Sequence, residues 1–67
     1  MAWFNSKEEK ITTLNLRNKG LISIPPEVFK YPNLQKLDLS ENRITSLPRE
    51  IGNLVNLQVL NLSENNI

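Results

Sequence analysis

The 67-residue chain contains no cysteine and no histidine. Without cysteine it can form no disulfide framework and no thiolate metal site. Without histidine it lacks the commonest metal ligand and the commonest general acid or base. Glycine occurs only at Gly20 and Gly52, each beside a turn signal, so there is no glycine-rich phosphate loop. Charge of one sign is also scarce, because eight basic against seven acidic residues leave a net charge of +1. That balance gives no electrostatic reason to expect nucleic acid or an anionic membrane as partner. No apolar run approaches the roughly 20 residues of a membrane span. The opening MAWFNSKEEK has neither the apolar centre nor the basic flank of a secretory signal. The expectation is a cytoplasmic chain with no cofactor, no metal, no nucleic acid and no membrane partner.

What the sequence does contain is repetition. With a constant step of 23 residues, Ile11, Leu34 and Leu57 fall into one column, Leu14, Leu37 and Leu60 into the next, and Leu16, Leu39 and Leu62 into a third. Leu21, Ile44 and Ile67 follow, then Ile24 with Leu47, and Val28 with Ile51. LQKLDLSENRI at 34–44 and LQVLNLSENNI at 57–67 are identical at eight of eleven positions. Self-similarity at a fixed period is the mark of a solenoid, in which each copy buries its apolar face against its neighbours.

These stretches meet the pattern LxxLxLxxNxL, and ITTLNLRNKGL at 11–21 meets it in part. ITSLPREIGNLVN and LISIPPEVFKYPN fit the LPxxI continuation. In these motifs the chain resembles the leucine-rich repeat family, in its 23-residue intracellular type seen in Ras-associated, plant and bacterial members. The resemblance covers 11–67 and implies an α/β solenoid. Its fold would be a short right-handed superhelix with a parallel sheet of about three strands and short 3₁₀ or helical turns on the convex side. The implied organisation is an N-terminal capping segment at 1–10, full repeats at 11–33 and 34–56, and a partial repeat at 57–67. The implied function is protein–protein interaction or scaffolding through the concave sheet face, without catalysis.

The residues support the same fold on physical grounds. LDL and LNL alternate apolar and polar positions, the period of a strand with one buried face. Leu37 and Leu39 are expected inward and Lys36, Asp38 and Ser40 outward. Asn42 and Asn65 share a column at the turn that follows, where an amide side chain can donate and accept for stranded backbone groups. Lys19 stands in that column in the first copy, so the NKG turn is expected to open to solvent. Proline suits the start of a helical turn at 47–52 and Gly52 its stop. Pro25, preceding Pro26, is disfavoured as helical, so the equivalent turn should start later. In the first ten residues, Ser6 and Glu9 fit a capping box. Trp3 and Phe4 read either as a cover over the first leucines or as an interaction or membrane-surface anchor.

By column, the outward residues expected to meet a protein partner are Lys36 and Val59, Asp38 and Asn61, Ser40 and Ser63, and Glu41 and Glu64. Their first-copy counterparts are Thr13, Asn15, Arg17 and Asn18. Asp38, Glu41 and Glu64 would suit a ligand with a basic patch, although a merely solvated sheet face reads equally well. Asp38 and Glu41 also form a carboxylate pair, but catalysis by such a pair needs a water-excluding pocket to shift a pKa. Phe29, Tyr31 and Leu54 are expected in the core. The third copy leaves Leu57, Leu60, Leu62 and Ile67 without an outer neighbour, and an open strand edge invites pairing. A homo-oligomer joined at this edge is therefore expected; the alternatives are a structural self-assembling unit or a fragment of a longer repeat protein. Light scattering at tens of micromolar should return more than the monomer mass, and Leu60→Lys should dissociate the assembly. A folded monomer would refute self-association.

Overall fold

The computed structural model describes residues 7–67. The expectations placed on Trp3, Phe4 and the side chain of Ser6 lie outside these residues. A single helical turn, α1 (Lys7–Lys10), precedes three short strands: β1 (Thr13–Asn15), β2 (Lys36–Asp38) and β3 (Val59–Asn61). They form one parallel sheet in the order β1-β2-β3. Thr13 pairs with Lys36 and Lys36 with Val59, so the register reproduces the step seen in the sequence. Backbone bonds outside the strands repeat at the same step. The amides of Gln35 and Lys36 donate to the Thr12 carbonyl, and those of Gln58 and Val59 donate to the Gln35 carbonyl.

Each connection between strands carries a 3₁₀ helix, Pro26–Lys30 in the first and Arg49–Asn53 in the second. Pro26 opens the first of these, and Pro25 is extended at φ −61° and ψ 137°, as the paired prolines require. The second departs from the sequence expectation at both ends. Pro48 is an extended cap rather than a helical residue, and Gly52 lies inside the helix. The chain leaves instead through Leu54, whose amide donates to the Ile51 carbonyl. A short i→i+3 turn closed by backbone alone has no need of a left-handed glycine at its stop.

The core sits between the sheet and the 3₁₀ layer. Leu34, Leu37, Leu39 and Ile44 are at most 1% exposed, and Ile24, Val28 and Leu54 complete the cluster. Phe29, Tyr31 and Ile51 pack against its rim. The same columns in the outer copies are only half-buried: Ile11, Leu14, Leu16 and Leu21 on one side, Leu57, Leu60 and Leu62 on the other. Ile24 and Leu47 share a column, yet Ile24 is buried and Leu47 is exposed. Among the described residues, only the middle copy has neighbours on both sides.

Two sets of asparagines tie the copies together. Asn42, 7% exposed, accepts from the amides of Lys19 and Leu21 at 3.0 Å each. Its amide nitrogen donates to the carbonyls of Leu16, Leu39 and Ser40. Asn65 accepts from the Ile44 amide at 2.9 Å and donates to Leu39, Leu62 and Ser63. In the first copy Lys19 is exposed, and Asn42 satisfies the backbone of its turn. The second set was not anticipated from the sequence. Asn33 donates to the Glu9 carbonyl at 2.9 Å, and Asn56, one period on, donates to the Pro32 carbonyl at 3.1 Å.

Just before each ladder position the backbone turns left-handed, at Asn18 (φ 54°), Glu41 (φ 58°) and Glu64 (φ 56°). Asparagine tolerates this region, whereas a β-carbon such as glutamate's costs roughly 1–2 kcal/mol there. The asparagine bonds of each turn, with the packing beneath them, must offset that cost. Leu37→Ala is expected to cost about 2–5 kcal/mol, clearly more than Leu60→Ala one copy on. Urea denaturation of the two variants measures the difference, and equal losses would contradict a core built by neighbouring copies.

Candidate functional site

The outward side chains of the sheet stand in registered rows. Thr13, Lys36 and Val59 form the row at the strand starts, and Asn15, Asp38 and Asn61 form the row at the strand ends. These six, with Leu14 and Leu37, line a groove of about 250 Å³ on the sheet face. Val59 is 48% exposed within it.

The row at the strand ends is occupied by local bonds. Asp38 Oδ1 accepts from the Ser40 amide at 3.0 Å and from the Ser40 hydroxyl at 2.6 Å. Asn61 Oδ1 accepts from the Ser63 amide at 3.0 Å and its hydroxyl at 2.8 Å. Asn15 Oδ1 accepts from the Arg17 amide at 3.0 Å. Each is an Asx turn, in which the side-chain oxygen captures the amide two residues on and ends the strand. Ser40 consequently differs from its expected outward role. It is 4% exposed, with its hydroxyl on Asp38 and its carbonyl accepting from the amides of Asn18 and Asn42. Ser63 makes the same bonds but is exposed.

The acidic character expected of this face is largely compensated. Glu41 is salt-bridged to Arg17, whose Nε donates to Oε2 at 2.6 Å. Glu64 is exposed and has no cationic partner among the described residues. A ligand with a basic patch would thus meet Glu64 unpaired, Asp38 still charged but bonded through Oδ1 to Ser40, and Glu41 neutralised by Arg17. Of the expected association residues, Leu57, Leu60 and Leu62 are half-buried and pack on the core, and Ile67 is 62% exposed. Leu60→Lys therefore reads folding as well as association.

The hydroxyl of Ser40, then its amide, holds the Asp38 carboxyl below its ordinary pKa, against the opposing effect of burial; the Arg17 guanidinium adds to the lowering. A general acid needs the opposite shift. The carboxylate is thus a structural acceptor, kept ionised by the bonds it receives. Because folding lowers this pKa, Asp38 adds stability that is present above the ordinary carboxylate value and is lost as pH falls through the folded value. Asp38→Asn retains the Oδ1 acceptor used at Asn15 and Asn61. It is expected to fold, and to show a shallower fall in urea midpoint than the parent below pH about 4. A fall as steep as the parent's would assign the acid sensitivity to another group.

Against this geometry the comparisons with known proteins are consistent. The leucine-rich repeat family model matches residues 9–67. The chain belongs to the leucine-rich repeat family. Among solved structures it is similar to a leucine-rich repeat protein of Leptospira interrogans, with 32% identity and a TM-score of 0.51. That similarity covers 88% of this chain and 21% of the Leptospira protein, so the chain spans about a fifth of its length. No curated protein matches the chain. Leucine-rich repeat domains generally mediate protein–protein interaction and are typically not enzymes.

Proposed function

We propose that the chain binds a protein partner across its sheet face, as the concave surface of a right-handed superhelix, and catalyses no reaction. The observation that carries this reading is the groove between the two outward rows, with Lys36 and exposed Val59 along one side. Such a surface combines an apolar contact with polar groups that set orientation, which is the usual composition of a recognition site. The paired charges and Asx turns around it hold its shape before a partner arrives, which limits the ordering cost of binding.

A second reading, self-assembly, is favoured by the edge strand β3, which like β1 has a partner strand on one side only among the described residues. In that case a second copy of the chain pairs with β3. The two readings differ in whether Lys36 and Val59 stay accessible when the chain associates.

A photo-crosslinking residue placed at Lys36 or at Val59, in the intact chain in its own cells, tests the proposal. Adducts with a different protein are expected from both positions, and few from a control at Val55, an exposed site outside the groove. Adducts with the chain itself would favour self-assembly. Equal capture from Val55 would refute a sheet-face site.

A further inference from the structure

The structure separates the outward groups that are already committed from those that are not. At the strand ends, the carboxylate of Asp38 and the amide oxygen of Asn61 are engaged by Ser40 and Ser63. Beyond them Arg17 and Glu41 neutralise one another. At the strand starts, Lys36 has no carboxylate partner among the described residues, and Val59 beside it is half-exposed. At the strand starts the groove therefore offers a cation next to an aliphatic surface, with the ionised Asp38 bound to Ser40 at its other end. Lys36 and Val59 are register partners on neighbouring strands, which sets their columns about 4.8 Å apart. Side chains spaced i and i+4 on a helix lie about 5–6 Å apart, whereas same-face neighbours on an extended strand lie nearly 7 Å apart.

We infer that the groove takes a helical segment of a protein partner carrying a carboxylate on Lys36 and, one turn away, an aliphatic side chain on Val59. This rests on the sheet-face reading above and adds the polarity and the form of the ligand. A single exposed lysine is a weak anion site on its own, so the aliphatic contact supplies affinity and the ion pair supplies orientation. Asp38, the other charged group lining the groove, stays ionised at the strand ends, where its Oδ1 is bonded to Ser40, and it makes no ion pair with Lys36.

The test uses three lactam-stapled, end-blocked peptides that carry Leu and, four positions away, Glu, Gln or Lys. Each is titrated into the isotope-labelled chain and followed by amide chemical shifts. The Glu peptide is expected to shift Thr13, Lys36 and Val59, and to bind about three- to fivefold more tightly than the Gln peptide, the range of an exposed ion pair. In Lys36→Glu, an exposed substitution, the Lys peptide should become the tightest of the three. Val59→Ser should weaken the Glu and Gln peptides alike. The inference is overturned if the Gln peptide matches the Glu peptide, or if Lys36→Glu binds the Glu peptide as well as the parent does. It is also overturned if the parent prefers the Lys peptide. Those results leave the sheet-face reading standing wherever the shifts fall on the groove. If no peptide shifts the groove, this inference fails alone when crosslinks still form at Lys36 and Val59, and both readings fail when they do not.

Discussion

A leucine in this chain is buried by the leucines one period before and after it. Leu37 has Leu14 and Leu60 as its registered partners, and it is dry where they are not. Everything else follows from keeping that register. The strands pair in parallel because successive copies must stack in the same direction, and each connection needs enough chain to return to the start of the next strand. The 3₁₀ helices are the shortest regular structure that fills the return path, and they place Val28 and Leu54 against the strand leucines. A missing core neighbour cannot be replaced locally, because no other element in a solenoid reaches the same leucines.

The face opposite the core shows how stacking limits the chemistry available for recognition. A short strand must be stopped, and here the stopping is done by the side chains that a simple inside–outside pattern would assign to a ligand. Asn15, Asp38 and Asn61 end their strands with the same oxygen in the same geometry. Arg17 and Glu41 bridge two copies and neutralise one another. The residues left for a partner are fewer than the outward-facing ones, and apart from Glu64 they lie at the opposite end of the strands.

The framework was legible in the sequence. The period gave the columns, the alternation in LDL and LNL gave the strands, and the amide at 42 and 65 gave the ladder. Even the odd lysine at position 19 read correctly as an exposed turn. What was not legible came from interactions that composition does not flag. An Asx turn looks like any outward polar residue until the distance to the amide two positions on is known, and so Ser40 was misplaced. Glutamate carries no sign of left-handed backbone, and only the shared column of Glu41 and Glu64 with Asn18 hints at it. Asn33 and Asn56 were in register with each other all along, but their partners are carbonyls, which every residue supplies. Leu47 shows the limit of column reasoning: it matches Ile24 in sequence and not in burial, although it belongs to the middle copy.

The asparagine ladder also has a direction. Asn42 satisfies the turn at Lys19 and Leu21, which belongs to the copy before it, and Asn65 does the same for Ile44. Each copy is thus fastened by the one that comes after it in the chain. A ribosome delivers the chain in the opposite sense, first copy first. The turn of a newly emerged copy stays unlatched until the next asparagine has followed it out. Folding of this solenoid during synthesis should therefore advance in steps, always one copy behind the point of emergence.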